Sequence, residues 1–280
     1  MLIAKTNKEL KKFLENSDIN QKIGFVPTMG ALHLGHLKLI EKSKKENLFT
    51  VVSIFVNPKQ FNNKEDFNKY PITINEDIEL LKSVNCDLLY IPTYEEIYPS
   101  GMTNVDIPLH NLDKVYEGEK RPGHFAGVAA VVHRLFSLVE PHKAFFGLKD
   151  FQQCLVIKNL RDQYFKNIRL KFCPTIREKS GLAMSSRNER LSPEARKKAA
   201  LIFEILTKAK EIFQNESITE TIRFVEKSFK KHPEFELEYF EIADEETLLS
   251  AKTKDTTKKY RGFIAVFIEK IRLIDNISLN

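Results

Sequence analysis

The chain alternates short apolar runs with longer amphipathic stretches, and this rhythm restricts its fold more than any other feature. The run VVSIFV at residues 51–56 is apolar almost throughout, as a central strand must be when helices cover both faces of a parallel sheet. The pattern predicts five strands and four helices, namely strands at residues 23–26, 51–56, 87–91, 144–146 and 168–172 and helices at residues 34–45, 75–84, 125–139 and 151–164. We therefore predict an α/β fold for residues 1–176, a doubly wound parallel sheet of Rossmann-like type.

The pattern changes in residues 177–280, for which we predict a second, smaller C-terminal α+β domain. Ser192 can cap a helix, Pro193 suits its first position and Glu194 complements its dipole, so a long helix should begin there and reach about Phe213. A helix at residues 218–230 and two alternating strands at residues 236–242 and 262–268 should follow, with the strands antiparallel. The segment from residues 177–191 is rich in Ser, Arg and Gly, and we expect a mobile flap there.

Composition places the chain among ordinary globular proteins. Of its 280 residues 42% are hydrophobic and 29% are charged, and its three cysteines are too far apart to suggest a zinc site or disulfides. The formal charge of +6 comes from dispersed lysines, which suit solvated helix faces better than a nucleic-acid patch. With no 20-residue apolar run and no leader-like N-terminus, we expect a cytoplasmic protein that binds neither membrane nor nucleic acid.

The most informative motif is PTMGALHLGH at residues 27–36, which leads from the first predicted parallel strand into the first helix after it. Ligands of such sheets bind beyond the carboxyl ends of the strands, so a phosphate site is expected here. Gly30 and Gly35 permit close backbone approach, and the free N–H groups of the helix start should face the ligand. His33 and His36 are three residues apart, so both rings can face the same ligand.

Other motifs match this segment poorly. A Walker A loop needs Lys and Ser or Thr where His36 and Leu37 stand, GxGxxG is absent, and a zincin spaces its histidines four apart around a Glu. A tight turn with hydrogen-bonded imidazoles and no ligand is the remaining structural explanation of HxGH. A non-catalytic nucleic-acid-binding protein also stays open at this point, and it would bind RNA or DNA with steep salt dependence.

Five ordered blocks together resemble one family within the HxGH nucleotidyltransferase superfamily, the pantothenate synthetases or pantoate–β-alanine ligases. The blocks are PTMGALHLGH (27–36), IFVNPKQF (54–61), RPGHFAGV (121–128), FFGLKDFQQ (145–153) and MSSRN (184–188). The resemblance implies a ligase that joins pantoate to β-alanine with ATP. Pantoate first attacks the α-phosphate and releases pyrophosphate, and β-alanine then attacks the pantoyl-adenylate and releases AMP. Such chemistry depends mainly on positioning and on cations and N–H donors.

The resemblance also implies which residues bind ATP. His36 is expected as the principal catalytic residue and as a proton donor, with His33, Lys149 and Arg187 beside it. The segment Ser185, Ser186 and Arg187 resembles a mobile KMSKS loop that would close over the pyrophosphate. The implied ATP contacts are Met29, Gly30, Ala31, Leu32, His33, Leu34, Gly35, His36, Gly147, Leu148, Lys149, Asp150, Ile176, Met184, Ser185, Ser186 and Arg187.

The acceptor and metal sites follow from the same resemblance. Gln60 and Gln153 resemble the pair that binds pantoate, because an amide donates and accepts at once. The other residues implied around pantoate and β-alanine are Asn57, Tyr70, Arg121 and His124. Asp77, with Glu76, stands where the family carries acidic residues near Mg²⁺. A homodimer through the first domain is also implied, to which a strand-rich region near residues 104–112 could contribute.

Two positions depart from the family pattern. Leu148 stands where a glutamate is usual and Ile72 where an arginine is usual, so a carboxylate beside the ATP site and a cation are missing. The alternative function is a related adenylyltransferase that acts on a phosphorylated acceptor, which would need phosphate-binding cations of its own. The paired glutamines suit a polyol acid without a phosphate group better.

Overall fold

A computed structural model describes residues 1–16, 22–46, 48–100 and 105–280 of the chain. It divides into two compact units, residues 1–174 and residues 175–280. The expectation of a doubly wound α/β sheet with a smaller α+β domain after it is confirmed. No helix in the described ranges is both long and apolar enough to cross a membrane.

The first unit is built on a six-stranded parallel sheet. Its strands are β1 (Leu2–Ala4), β2 (Ile23–Thr28), β3 (Phe49–Ile54), β4 (Leu88–Tyr90), β5 (Lys143–Gly147) and β6 (Arg169–Cys173). They lie in the order β1-β4-β3-β2-β5-β6, and every neighbouring pair is parallel. Because the direction of winding reverses between β2 and β5, a crevice forms beyond their carboxyl ends, where ligands of such sheets bind.

Helices cover both faces of this sheet. They are α1 (Asn7–Asn16), α2 (Leu34–Lys45), α3 (Lys64–Asn68), α4 (Ile74–Ser83), α5 (Tyr94–Ile97), α6 (Tyr116–Lys120), α7 (His124–Val139) and α8 (Phe151–Tyr164), with short 3₁₀ turns at Pro58–Gln60 and Leu148–Asp150. Phe25 packs into a core with α1, α7 and α8, whereas its neighbour Val26 packs into a separate core with α2 and α4. Consecutive strand residues are therefore both buried, which explains the continuous apolar runs.

The second unit packs three helices and a 3₁₀ turn at Ser186–Arg190 with an antiparallel sheet. Its elements are α9 (Pro193–Lys198), α10 (Leu201–Asn215), α11 (Ile218–Lys230), β7 (Phe235–Asp244), β8 (Tyr260–Ile268) and β9 (Ile271–Ser278). Ser192 caps α9 as expected, since its hydroxyl accepts from the N–H of Ala195 at 3.1 Å. The sheet order β7-β8-β9 is antiparallel, as predicted for its first two strands.

Some sequence-based boundaries were wrong. The single long helix expected to reach Phe213 is two helices, because the chain tightens around Ala199 and Ala200 into turns with three-residue hydrogen bonds and buries both side chains. The short edge strand β1 and the last strand β9 were not predicted. Residues 105–112 form no strand, in contrast to the region expected near residues 104–112, while Asn104 lies outside the described residues.

Candidate active site

Two turns meet at the point where the winding of the sheet reverses. The turn from β2 to α2 carries His33 and His36, and the turn from β5 to α8 carries Lys149 and Asp150. Strands β2 and β5 are hydrogen-bonded neighbours, so their carboxyl ends place these two turns side by side. The positive charge of Lys149 is near enough to lower the pKa values of both histidines. The structure thus brings together two of the sequence blocks expected to bind ATP, residues 27–36 and 145–153.

The two histidines form a closed local arrangement at the start of α2. His33 is the N-cap residue, and its Nδ1 accepts from the N–H of Gly35 at 3.1 Å. The N–H of His33 in turn donates to Nδ1 of His36 at 3.3 Å, and the two rings stack with centroids 4.0 Å apart. Since each Nδ1 is an acceptor, a neutral ring must carry its proton on Nε2. Both histidines therefore present an Nε2–H donor.

Both rings are neutral at physiological pH. Burial lowers the pKa of His33 to about 4, and the charge of Lys149 contributes in the same direction. Burial also holds the pKa of His36 well below its usual range, with His33 and Lys149 as further causes. Neutral rings with fixed tautomers favour hydrogen-bond donation to a phosphate over proton donation by an imidazolium.

The backbone of the turn is engaged within the protein. The N–H of Gly30 donates to the Thr28 hydroxyl at 3.2 Å, and those of Ala31 and Leu32 donate to the Asp77 carboxylate at 3.0 and 2.7 Å. The N–H of Gly35 is also used, as described above. Free N–H groups were expected to face a ligand at the helix start, and this expectation is wrong for Gly35, whose N–H is bonded to the His33 imidazole.

Lys149 supplies a cation to this crevice. Its side chain is 18% exposed and its Nζ lies 3.2 Å from Oδ1 of Asp150. Gly147 ends β5, and a Cβ added to it would meet nothing within 4 Å, so there is open space beside the strand end. The neighbouring departure Leu148 is half-buried, whereas the departure Ile72 is 73% exposed.

A second cluster of polar groups follows β3. Asn57 is 1% exposed, and its amide donates to the carbonyl oxygen of Gly127 at 3.1 Å and to Oε1 of Gln60 at 3.3 Å. Oδ1 of Asn57 accepts from the Tyr98 hydroxyl at 3.2 Å. The amide nitrogen of Gln60 lies 2.9 Å from the sulfur of Met29, which connects this cluster to the histidine turn.

Arg121 and His124 hold the cluster from the other side. The guanidinium of Arg121 donates to Nε2 of His124 at 3.0 Å, so Nδ1 of that ring carries the proton and donates to the carbonyl oxygen of Gln60 at 2.8 Å. Burial, and then the charge of Arg121, lowers the pKa of His124 to about 4. Asn57, Gln60, Arg121 and His124, predicted together from sequence, thus lie together.

The other two residues expected at the acceptor site are less closely tied to this cluster. Tyr70 is 9% exposed and packs edge-to-face on Phe61 with ring centroids 5.7 Å apart. Gln153 is half-buried on the first turn of α8. Its neighbour Gln152 is buried and structural, because its amide bonds the backbone of Leu112, Val115 and Glu117. The acceptor roles of Tyr70 and Gln153 stay predictions.

Asp77 and Glu76, the two residues predicted to lie near the metal, have different surroundings. Asp77 is buried at 1% exposure, and besides its two backbone partners it accepts from the Thr73 hydroxyl at 3.2 Å. Burial raises the pKa of Asp77, although the two N–H donors oppose that rise. Glu76 is exposed. Within the described ranges no three His, Cys, Asp or Glu side chains are grouped so that they could hold a metal ion.

The remaining predicted residues belong to the second unit. The N–H of Met184 donates to the carbonyl oxygen of Ile176 at 2.9 Å, next to a β-bridge between Arg177 and Ala183. The Ser185 hydroxyl caps the following 3₁₀ turn, and Asn188 anchors that turn by donating to Glu178 and to the Ala183 carbonyl oxygen, each at 3.0 Å. Ser186 and Arg187 are half-buried in this turn.

Three groups at the site were not singled out from sequence. They are the Thr28 hydroxyl, the Tyr98 hydroxyl and Gly127, where a Cβ would lie 2.4 Å from the carbonyl oxygen of Lys59. Thr28 and Gly127 lie inside recognised blocks, so their positions carried a signal. Tyr98 lies 41 positions from its partner Asn57, and no local pattern reveals that pairing.

Comparisons with known proteins agree over the whole chain. The sequence model of the pantoate–β-alanine ligase family matches residues 2–278. The pantothenate synthetase of Flavobacterium psychrophilum is 48% identical over 281 residues, which cover 100% of both chains. That of Christiangramia forsetii is 49% identical over 261 residues, covering 93% of this chain and 92% of the other.

Solved structures agree as well. A crystal structure of the pantothenate synthetase from Thermus thermophilus aligns with a TM-score of 0.92 at 42% identity, covering 100% of this chain and 99% of that one. The pantoate–β-alanine ligase from Francisella tularensis, complexed with β,γ-ATP and β-alanine, aligns with a TM-score of 0.78 at 37% identity, covering 100% and 98%. Both similarities extend across the two units of the chain.

Proposed function

Since the chain belongs to the pantoate–β-alanine ligase family, we propose that the crevice between β2 and β5 carries out the adenylation step of that family's reaction. The protein is a ligase that forms a C–N bond between pantoate and β-alanine while ATP is cleaved to AMP and pyrophosphate. The observation that carries the assignment of the site is the meeting of His33, His36 and Lys149 at the reversal of the sheet.

The reaction needs stabilisation of negative charge more than it needs a protein nucleophile. A pantoate carboxylate oxygen attacks the α-phosphorus, and the bond from that phosphorus to the bridging oxygen breaks as pyrophosphate leaves. Charge develops on the equatorial and leaving oxygens. The Nε2–H donors of His33 and His36 and the ammonium of Lys149 are the groups available here to stabilise it, and all three are held before substrate arrives.

In the second step the amine nitrogen of β-alanine attacks the acyl carbon of the pantoyl-adenylate. The bond from that carbon to the AMP oxygen breaks, AMP leaves with the electron pair, and the nitrogen loses a proton. Because the His33 and His36 rings are neutral with Nδ1 occupied, we assign them to charge stabilisation in this step as well. Burial lowers the pKa of both rings in the free protein, which favours donation of a hydrogen bond over transfer of a proton.

The buried cluster around Gln60 suits pantoate. Gln60 is 7% exposed, its carbonyl oxygen and side chain are held by His124 and Asn57, and it adjoins Met29 of the histidine turn. A glutamine held in this way can offer an amide to a hydroxyl or a carboxylate with little loss of entropy on binding. We place pantoate here, with Gln153 as a predicted second contact.

Magnesium is proposed as a partner of ATP. Within the described ranges the acidic residues of the site do not form a set of protein ligands, and magnesium in such enzymes keeps waters and binds mainly through substrate phosphates. The nucleotide roles of Ile176, Met184, Ser185, Ser186 and Arg187 stay predictions, as do the homodimer, the cytoplasmic location and the absence of nucleic-acid and membrane partners.

The proposed function is tested by exchange of labelled pyrophosphate into ATP. We expect exchange only when pantoate is present, and AMP release only when β-alanine is then added. An exchange rate indifferent to pantoate would refute the assignment and favour an adenylyltransferase with another acceptor. Substituting a phosphorylated acid for pantoate distinguishes that alternative directly.

A further inference from the structure

The β2–α2 turn has an unusual backbone. Gly30 and Ala31 are consecutive residues in the left-handed region, with φ of 80° and 48°. Left-handed geometry is unfavourable for alanine, so the surroundings must hold this conformation in place. In this turn the N–H groups of Ala31 and Leu32 point to the same side and form a concave anion site.

The anion in this concavity is part of the protein. Oδ2 of Asp77 accepts from the N–H of Ala31 at 3.0 Å, and Oδ1 accepts from the N–H of Leu32 at 2.7 Å. A Cβ added to Gly30 would lie 3.1 Å from Oδ2, so the carboxylate also packs closely against that residue. Asp77 thereby connects helix α4 to the turn from 45 or 46 positions away.

From these contacts we propose that Asp77 is a positioning residue, which holds the β2–α2 turn so that His33 and His36 face the ATP phosphates. This inference rests on the proposed function, since it assigns Asp77 a part in that reaction. The residue next to Leu32 is His33, whose N–H and Nδ1 set the position of the second ring and of the helix start. A change at Asp77 therefore reaches both rings through two peptide units.

The same contacts argue against a metal role for Asp77. A carboxylate has about four lone-pair directions, and three of them are used by Ala31, Leu32 and the Thr73 hydroxyl. Magnesium requires near-octahedral geometry with short bonds to oxygen, which a side chain committed to the backbone is poorly placed to supply. The metal role predicted for this residue is replaced, in this proposal, by a structural role at the active site.

The test compares Asp77→Asn with a control on the same helix, Glu79→Gln, which removes an exposed carboxylate paired with Lys82 across one helical turn. Asparagine has the same shape but turns an NH₂ group towards a backbone donor. We expect the kcat of pantoate-dependent exchange to fall about tenfold or more in Asp77→Asn. The magnesium concentration for half-maximal rate should stay within about twofold of wild type, because no ligand is lost. A rise of about tenfold or more in that concentration would identify a metal ligand and overturn the proposal.

A double-mutant cycle separates positioning from a general loss of stability. If Asp77 acts through His36, Asp77→Asn should reduce kcat less than about threefold in a His36→Ala background. Full additivity of the two effects would show that Asp77 acts elsewhere.

Hydrogen exchange measures the contact between Asp77 and the β2–α2 turn directly and does not depend on catalysis. It therefore remains informative even if the proposed reaction is wrong. The amides of Ala31 and Leu32 should be protected in wild type and in Glu79→Gln, and should exchange about tenfold faster or more in Asp77→Asn. Equal exchange in all three proteins would refute the contact itself. If Asp77→Asn does not fold, Thr73→Val removes only the hydroxyl partner and should accelerate the same two amides, and unchanged exchange there would also count against the proposal.

Discussion

The His36→Ala substitution tests the assigned chemistry most directly. It removes the Nε2–H donor expected at the transferring phosphoryl group, and it also removes the Nδ1 acceptor of the His33 N–H. Loss of one preorganised donor at a developing oxyanion typically costs about 100- to 1,000-fold in kcat, or about 2.7–4 kcal/mol. Because the ring is neutral in the wild-type protein, His36→Ala removes no charge from the site, so no change in charge offsets the loss of the hydrogen-bond donor.

The effect on stability should be much smaller than the effect on rate. The His33 N–H loses a partner at 3.3 Å in a half-buried position, where water can replace the lost acceptor, so about 1 kcal/mol of unfolding free energy is expected. His133→Ala is the matched control. That half-buried ring packs edge-to-face against Tyr164 and Phe165, with centroids 5.3 and 5.0 Å away, outside the site described above.

The assay is pantoate-dependent pyrophosphate exchange at saturating ATP, with urea unfolding of each variant at the same pH. We expect His36→Ala to lose about 100-fold or more in rate, and His133→Ala to stay within about threefold of wild type. A loss below about tenfold in His36→Ala, or an equal loss in both variants, would refute the role given to His36.

Two further predictions concern protonation and packing. Ring ¹⁵N spectra should show the stacked pair His33 and His36 neutral, with the proton on Nε2, from pH 8 down to about 5, and a midpoint near 6.5 for both rings would contradict this. The pKa of His33 is about 4 in the folded protein and about 6.5 in the unfolded chain. Its contribution to the free energy of unfolding is therefore full above about pH 6.5 and is lost as the pH falls towards about 4. Gly127→Ala should raise the KM for pantoate and destabilise the fold by about 1–3 kcal/mol, because the new Cβ would lie 2.4 Å from the Lys59 carbonyl oxygen. Gly147→Ala is the stability control, because its Cβ would have nothing within 4 Å. Equal free energies of unfolding for the two variants would contradict the packing argument.

Local patterns in the sequence were enough to predict most elements of the fold. The consecutive apolar residues of β2 and β3 predicted parallel strands covered on both faces, and the separate cores reached by Phe25 and Val26 are the physical reason. The capping sequence at Ser192 predicted the start of α9. The break at Ala199 was missed because alanine favours helices and no glycine or proline marks the turn.

The sequence blocks likewise predicted most residues of the candidate site. They selected His33, His36 and Lys149 in one group and Gln60 with His124 in another, and the structure places the members of each group together. The resemblance named these residues, but it gave no information on which ring nitrogen carries a proton. That was decided by two backbone N–H groups, whose directions depend on the exact course of the turn.

The sequence by itself determined the strand and helix periodicity, the recognised blocks and hence the family, because all of these are properties of neighbouring residues. Only the tertiary structure decided that Asp77 meets the N–H groups of Ala31 and Leu32, and that Tyr98 meets Asn57. These partners lie 41 to 46 positions apart in the chain and meet only because β3 pairs with β2, and β4 pairs with β3, in the sheet. A carboxylate binds whichever donor the fold brings to it, so its role follows from packing.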